Sequence, residues 1–480
     1  MRVLENLVPD KVFYYFEEIS SIPRGSGDLE AVSDYCVNFA KERNLVARKD
    51  ELNNVVIKKP ATEGREYDTT VIIQGHLDMV CEKTNESNHD FENDGIELLV
   101  DGDWISANGT TLGADNGIAI AYALAILDDN TISHPALEVI FTADEEIGMF
   151  GAKALDMSDL TGKYMLNLDC EEDGICYAGC AGGARLEAQF DIERTSSKGT
   201  LYTITVKGLK GGHSGAEIDK ERANASMIMG RVLHKIDDTM NFGIVSVNGG
   251  SKDNVITREN IAQIVAEDED TLKKIIDDFN TEIKNEYAVA DQNIIVTIEK
   301  GEYGEYNVVC KDNQDDVITF MYTVPYGPQN YCTDVKGVVE TSLNMGVVNT
   351  TEDKIVIVMS VRSMIRSRKE LLLDRVKCLA LKLNAKVEIG ADYPEWEFKR
   401  NSALQDIMKK TYFDMYKEEI KMNVIHAGLE CGYFLEKNPE LDVLSFGPQM
   451  FDIHTPEERL SISSTKKVYD LVLELLKNIK

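Results

Sequence analysis

Three apolar runs in the first part of the chain each end in groups able to hold a cation. Val71-Ile72-Ile73-Gln74-Gly75 leads into His76-Leu77-Asp78. Leu137-Glu138-Val139-Ile140-Phe141-Thr142-Ala143 leads into Asp144-Glu145-Glu146, and Tyr164-Met165-Leu166-Asn167-Leu168 into Asp169. Between the first two lies Thr111-Leu112-Gly113-Ala114-Asp115-Asn116-Gly117, and a distant loop holds His454. Imidazole with carboxylate suits zinc, manganese or cobalt, whereas calcium favours all-oxygen ligation. The candidate ligands are therefore His76, Asp115, Glu146, Asp169 and His454. Two ions about 3.5–4 Å apart need a shared group. A carboxylate can bridge and an imidazole cannot, which points to Asp115 on its tight, glycine-bearing loop. Each ion then keeps one histidine, one terminal carboxylate and the bridge, with room for a water. Glu145 and Glu146 are adjacent, so in a regular strand they point apart: one binds metal while the other reaches the water as general base. Asp78 follows His76 by two residues on the same side of an extended chain, placed to accept the other imidazole N–H and orient the ring. Taken singly, Asp-Glu-Glu reads as a solvated turn and His-x-Asp carries little weight. The repetition of ligand types at several strand ends carries the reading.

The elements that position these groups follow from periodicity. Short continuous apolar runs read as buried strands. Alternating with helices, they suggest a largely parallel sheet, with ligands gathered beyond its carboxyl ends. Helices are expected over residues 9–20, 29–42 (capped by Asp28) and 118–127, with strands over 46–49 and 54–59. Residues 83–103 read as a polar surface loop, and the glycine cluster from Ala178 to Gly183 as a hinge. Beyond it, strands over 186–193, 202–207, 242–247, 260–266, 293–298, 338–348 and 354–362 alternate with helices over 221–237, 270–287 and 368–383. This is an α+β pattern with no strict internal period. From residue 394 the first character returns, with a helix over 402–416, sheet material over 424–430 and 441–446, and a closing helix over 464–479. At 480 residues the chain exceeds one compact core. If His454 joins the early groups, the first domain is discontinuous. The expected fold is α/β: a catalytic domain of residues 1–183 and 396–480, its mixed sheet flanked by helices, with an inserted α+β domain at 184–395.

The formal net charge of −32 opposes binding to nucleic acid or anionic membrane. No apolar stretch near Met1 resembles a signal peptide, and none approaches a membrane span. Nine scattered cysteines, an odd count without paired spacing, argue against a disulfide framework. A cytoplasmic, reducing location is expected.

Gly75-His76-Leu77-Asp78-Met79-Val80, Leu112-Gly113-Ala114-Asp115-Asn116-Gly117, Thr142-Ala143-Asp144-Glu145-Glu146-Ile147-Gly148 and Gly212-His213-Ser214-Gly215 resemble the M20 family of metallopeptidases in order and spacing. The resemblance covers essentially the whole chain. Met79-Val80-Cys81-Glu82-Lys83 and His426-Ala427-Gly428-Leu429-Glu430-Cys431-Gly432 are similar to the family's aminoacyl-histidine (Xaa-His, or β-alanyl-histidine) dipeptidases. The resemblance implies a zinc-peptidase-like catalytic domain, an inserted lid or dimerisation domain, and a homodimer. It also implies a pair of divalent ions, zinc foremost and cobalt or manganese otherwise. It gives one ion to His76, Asp115 and Asp169 and the other to Asp115, Glu146 and His454. Glu145 is then the base and Asp78 the support of His76, and a cis peptide joins Asp115 to Asn116. The implied reaction is hydrolysis of dipeptides, Xaa-His and carnosine among them. Such an enzyme must read both free termini. Arg362, ending an apolar strand, suits the carboxylate bidentately or else a structural salt bridge. Asn254 suits the same group or a turn, and Glu430 suits the free amine. His213 alone reads as a loop histidine; the family's histidine at this position holds the substrate carbonyl, often from a dimer partner's lid. The same metal site would serve an amidohydrolase acting on N-acyl amino acids, or a tripeptidase. A binding protein that had lost catalysis is opposed by the intact ligand set.

Overall fold

The computed structural model describes residues 2–480. They form two compact units: Met1–Gly179 with Phe398–Val424 and Leu429–Lys480, and Cys180–Glu397 with Ile425–Gly428. The breaks fall a few residues from those expected, and Ile425–Gly428 groups with the inserted unit rather than with the C-terminal segment around it. No helix among the described residues is long and apolar enough to cross a membrane.

An eight-stranded mixed sheet underlies the first unit, in the order Val46–Lys49, Val55–Lys59, Leu137–Thr142, Val71–His76, Tyr164–Asn167, Asp442–Ser445, Ile175–Cys180, Lys421–Ile425. Four central strands are parallel, and the flanking pairs seen on either side are antiparallel. Val71 pairs with both Leu137 and Tyr164, and His76 lies level with Thr142. The three ligand-bearing ends therefore emerge side by side. Val71–His76 and Leu137–Thr142 are buried at every position, as befits continuous apolar runs covered on both faces. The helix Ala114–Asp128 is buried all round through Leu127 and packs on Val71–His76 and on the helix Asp10–Ser20. Gly75 permits that approach: a Cβ there would lie 2.5 Å from the Ala119 Cβ. Part of the expected surface loop is instead a small sheet. Leu98–Asp101 and Trp104–Ala107 join Arg459–Ser461 and Met450–Phe451, and the last two strands form the hairpin that carries His454.

The second unit is built on a nine-stranded antiparallel sheet covered by the helices Ala225–Asp237, Glu269–Glu286, Lys311–Thr323 and Arg366–Lys382. Two four-stranded halves meet at one register pair, Gly249 with Val348, and a ninth strand, Gly327–Tyr331, pairs with Val339–Thr350. The first half runs Ile295–Val309, Arg194–Lys207, Asn260–Ala266, Gly243–Gly249; the second runs Val339–Thr350, Lys354–Ser363, Gly182–Asp191, Lys386–Tyr393.

Two expectations are corrected. Asp28 is not a cap: the second helix begins after Leu29 and has no side-chain cap. The strand expected through residue 430 ends at Ile425, and Glu430 instead precedes the helix Cys431–Lys437. The glycine cluster expected as a hinge spans the boundary between the two units, which falls after Gly179, and its residues belong to the strands Ile175–Cys180 and Gly182–Asp191; a Cβ on Gly182 would lie 2.5 Å from the Glu395 backbone nitrogen, so close packing requires the glycine there. The helix Lys311–Thr323 and the strands Gly327–Tyr331 and Lys386–Tyr393 were not anticipated.

Candidate metal centre

Beyond the parallel strands, Asp115 presents one oxygen to each of two histidines. Its Oδ1 lies 3.2 Å from His76 Nε2 and its Oδ2 3.1 Å from His454 Nε2. Asp169 Oδ1 stands 3.5 Å from His76 Nε2, and Glu146 Oε1 2.9 Å from His454 Nε2. All five candidate ligands thus come together as two triads sharing Asp115. His76, Asp115 and Glu146 each offer a ligand atom within 4.8 Å of the others. A cis peptide joins Asp115 to Asn116 in the irregular first turn of its helix. Asn116 Oδ1 accepts the His76 N–H at 3.1 Å, and its Nδ2 donates to Leu168 O at 2.7 Å, tying the turn to two strand ends.

His76 Nδ1 lies 3.0 Å from the Asp78 carbonyl and 3.3 Å from Asp78 Oδ1. In the neutral form that a metal ligand requires, the ring would carry its proton on Nδ1 and turn the Nε2 lone pair to the carboxylates. Asp78 also accepts the N–H groups of Glu145 at 3.0 Å and Glu146 at 3.2 Å, and the Ser26 hydroxyl at 2.8 Å. Burial opposes ionisation of Asp78, yet His76, Ser26 and the Glu145 N–H hold its pKa at about 2. One carboxylate so orients a candidate ligand and the turn that carries the candidate base.

The electrostatics call for cations. Burial pulls the His76 pKa down, but Asp169, Asp115 and Asp78 lift it well above the usual value. Hydrogen bonds to Asp115 and Glu146 raise His454 to about 10. Burial foremost raises Glu145, Glu146 and Asp169, and carries Glu171 to about 8 with help from Asp115 and Asp169. Among the described residues no Lys or Arg lies within ion-pair distance of Asp115, Glu145, Glu146 or Asp169. Clustered carboxylates with two imidazole nitrogens turned among them, and no basic side chain, fit bound divalent ions.

The second unit gathers the other candidates. Gly212–His213 pairs with Val255–Ile256, and Ser214 N–H donates to Asn254 O at 2.9 Å. His213 Nδ1 accepts the N–H groups of Gly215 at 3.2 Å and Ala216 at 3.1 Å. A neutral ring then carries its proton on Nε2. Burial and the Arg362 charge lower the His213 pKa and favour that neutral form. Arg362 is 8 % exposed. Its Nη1 donates to the Tyr393 hydroxyl at 2.8 Å, its Nε is buried without a partner, and no described carboxylate comes within ion-pair distance. The structural salt bridge weighed for Arg362 is therefore absent. His426 Nε2 lies 2.7 Å from Ser342 Oγ; burial, Arg362 and His213 hold its pKa near 3, so it is neutral.

The sequence description of peptidase family M20/M25/M40 matches residues 72–478. The chain belongs to this family. It is 38 % identical to the cytosol non-specific dipeptidase of Escherichia coli K12, over all of this chain and 99 % of that one. The crystal structure of an aminoacylhistidine dipeptidase from Vibrio alginolyticus superposes with a TM-score of 0.94 at 37 % identity, covering 99 % of this chain and 98 % of the other. An aminopeptidase PepT from Bacillus cereus, at 15 % identity and a TM-score of 0.58 over 98 % of this chain and 99 % of that one, shares the fold.

Sequence reasoning missed several groups that hold this M20 site together. Arg24, 2 % exposed, donates through Nη1 to the carbonyls of Leu77 at 2.9 Å and Asp78 at 3.3 Å, and through Nη2 to that of Gly113. Glu458, also 2 % exposed, accepts the N–H groups of Leu112, Gly113, Ala114 and Asp115. Neither belongs to a recognisable motif; Glu458 follows His454 closely in sequence, whereas Arg24 lies far from every candidate ligand. Glu430 is fully enclosed in the first unit. Its Oε2 accepts Gln74 Nε2 at 2.6 Å and Thr142 Oγ1 at 2.7 Å, its Oε1 has no partner, and burial pushes its pKa to about 7.

Proposed function

We propose that the chain is a two-metal dipeptidase acting on Xaa-His dipeptides, β-alanyl-histidine among them. The observation that carries this reading is the placing of the Asp115 oxygens, one before each histidine, with Asp169 and Glu146 completing the two triads. His76, Asp115 and Asp169 would hold one ion and Asp115, Glu146 and His454 the other, with zinc preferred and cobalt or manganese able to substitute. When bound, such a pair lowers the pKa of a water between the ions and polarises the scissile carbonyl.

The chain's own residues supply the rest. Glu145 takes the proton of the attacking water and returns it to the leaving nitrogen; its raised pKa, caused first by burial, suits a group that must both accept and release a proton. Asp78 holds the Glu145 N–H and the His76 ring, and so fixes base and ligand together. His213, neutral with its N–H on Nε2, is suited to donate to the carbonyl oxygen as charge develops. Arg362, a buried guanidinium lacking an acidic partner, is suited to the substrate carboxylate, with Asn254 beside the His213 loop as a further donor. Glu430 is proposed for the free amine on the resemblance alone, since its carboxyl group is enclosed against Gln74 and Thr142. Names of relatives agree in kind: one is called a non-specific dipeptidase and one an aminoacylhistidine dipeptidase. The inserted unit is proposed to dimerise two chains, and a cytoplasmic location matches the name of the Escherichia coli relative.

The test is hydrolysis by metal-stripped and reconstituted protein over carnosine, other Xaa-His dipeptides, dipeptides lacking histidine, tripeptides and N-acetylated controls. Activity should vanish with chelator, return with zinc, cobalt or manganese, and require a free amine. Full turnover by rigorously metal-free protein, or preference for the acetylated controls, would overturn the reading. Light scattering of the native protein tests the dimer.

A further inference from the structure

The turn that carries Asp115 is gripped from both sides by two buried charged residues. Glu458 Oε2 accepts Leu112 N–H at 2.8 Å and Gly113 N–H at 2.9 Å; its Oε1 accepts Ala114 N–H at 2.8 Å and Asp115 N–H at 3.3 Å. The amides of Ala114 and Asp115 are among the unpaired ones that open the helix Ala114–Asp128, which has no side-chain cap of its own, and those of Leu112 and Gly113 lead into it. A carboxylate at that place also meets the positive end of the helix dipole. From the other side Arg24 takes the Gly113 carbonyl, together with those of Leu77 and Asp78 beside His76. Gly113 fits this grip because its φ is 69° and because a Cβ would meet Arg24 Nη2 and the Met79 sulfur, 2.6 Å away. Glu458 in turn lies on the same hairpin as His454, between Met450–Phe451 and Arg459–Ser461. One carboxylate therefore ties the shared candidate ligand to a ligand of only one ion, while Arg24 ties the same turn to the segment of the other.

We propose that Glu458, with Arg24, is a positioning residue that presets Asp115 before any ion arrives and makes occupancy of the two ion positions interdependent. Glu458 touches no substrate or reacting atom; it acts through the Asp115 turn. The inference rests on the two-ion reading above. Its test is divided so that failure of that reading and failure of the clamp are distinguished.

Amide hydrogen exchange of the metal-free wild-type protein, resolved to residues 112–115, needs no ion. The proposal expects these amides to be protected like the helix that follows them. Exchange at the rate of an open loop overturns it. Zinc titration against a competing chelator then compares the wild type with Glu458→Gln, which keeps the shape but replaces two acceptor sites with donors. The expected result is unchanged far-UV circular dichroism, faster exchange at 112–115 and affinity lower by about 10–100-fold at both positions, the usual effect of losing a ligand's outer support. Loss of the coupling between the two binding steps should accompany it. Glu458→Asp, shorter by one methylene, should fall between the two. A folded Glu458→Gln protein that binds two ions as the wild type does overturns the proposal. If Glu458→Gln does not fold, the wild-type exchange decides alone. A wild-type protein that binds fewer than two ions refutes the two-ion reading, while the exchange result still judges the clamp on the turn.

Discussion

Arg362→Met should impair dipeptide hydrolysis while leaving the fold at least as stable as before. Arg362 is 8 % exposed, has no acidic partner within ion-pair distance among the described residues, and makes one side-chain hydrogen bond, to the Tyr393 hydroxyl. Holding an unpaired charge in such a place costs several kcal/mol. Methionine fills a similar volume without the charge, so the substitution removes that penalty and loses one hydrogen bond worth about 1 kcal/mol. The metal-free variant should unfold at the same temperature as the wild type or above it. Function should move the other way. A charge-assisted hydrogen bond is worth about 1.5–3 kcal/mol. Losing a two-pronged carboxylate contact of about 3 kcal/mol net lowers kcat/KM by roughly 100-fold. The assay pairs each dipeptide with its C-terminal amide. The wild type should prefer the free acid, and Arg362→Met should treat both alike by losing activity on the acid. A variant that still discriminates acid from amide would refute the carboxylate role. A variant destabilised by several kcal/mol with intact discrimination would make Arg362 a structural residue.

Glu145→Gln should keep both ions and lose about 10²–10⁴ in turnover, whereas Asp115→Ala should lose the ions as well; metal analysis beside kinetics separates the two. His213→Ala should retain fold and metal content while turnover falls about 10²–10³-fold, the usual effect of removing an oxyanion donor; unchanged turnover would return it to an ordinary loop histidine. Glu430 has a folded pKa of about 7, raised by burial above its ordinary value. Its neutral form is the one the fold favours, so its contribution to stability is complete below the unfolded carboxyl pKa and is lost as pH rises through about 7. Urea unfolding of metal-free protein should therefore show the wild type losing stability across that window relative to Glu430→Gln, and parallel curves would contradict the assignment.

Much of the first unit was legible because its ligands follow long apolar runs, and a parallel sheet brings the ends of such runs together. Val71–His76, Leu137–Thr142 and the helix Ala114–Asp128 needed only continuous hydrophobicity and a glycine-bearing turn. His454 lies far from the rest in sequence; its residue type made it a candidate, and the family resemblance assigned it to one of the two ions. Arg24 and Glu458 were invisible because they bind main-chain groups, and a backbone N–H or carbonyl looks the same whatever residue carries it. Asp28 was given a cap because the residue type suits one, but the chain starts its helix one residue later. The strand Gly327–Tyr331, GPQNY, has little strand propensity and is held by pairing with Val339–Thr350. The helix Lys311–Thr323 opens on polar residues that favour turns, and its apolar face begins only at Val317. For Glu430, the β-branched pair Val424-Ile425 suggested a strand that continued, while burial against Gln74 and Thr142 could not be read from its neighbours.

The separation of 339 residues between Asp115 and His454 also has a meaning during biosynthesis. At a translation speed of roughly 5–20 residues per second, about 20–70 s pass between the synthesis of the two. For most of that interval the nascent chain carries His76, Asp115, Glu146 and Asp169 without the hairpin that brings His454 and Glu458. On the ligand set proposed above, a hydrolytic centre completed this late would be silent on the ribosome, and the arrival of one short hairpin would set the moment at which it can begin to work.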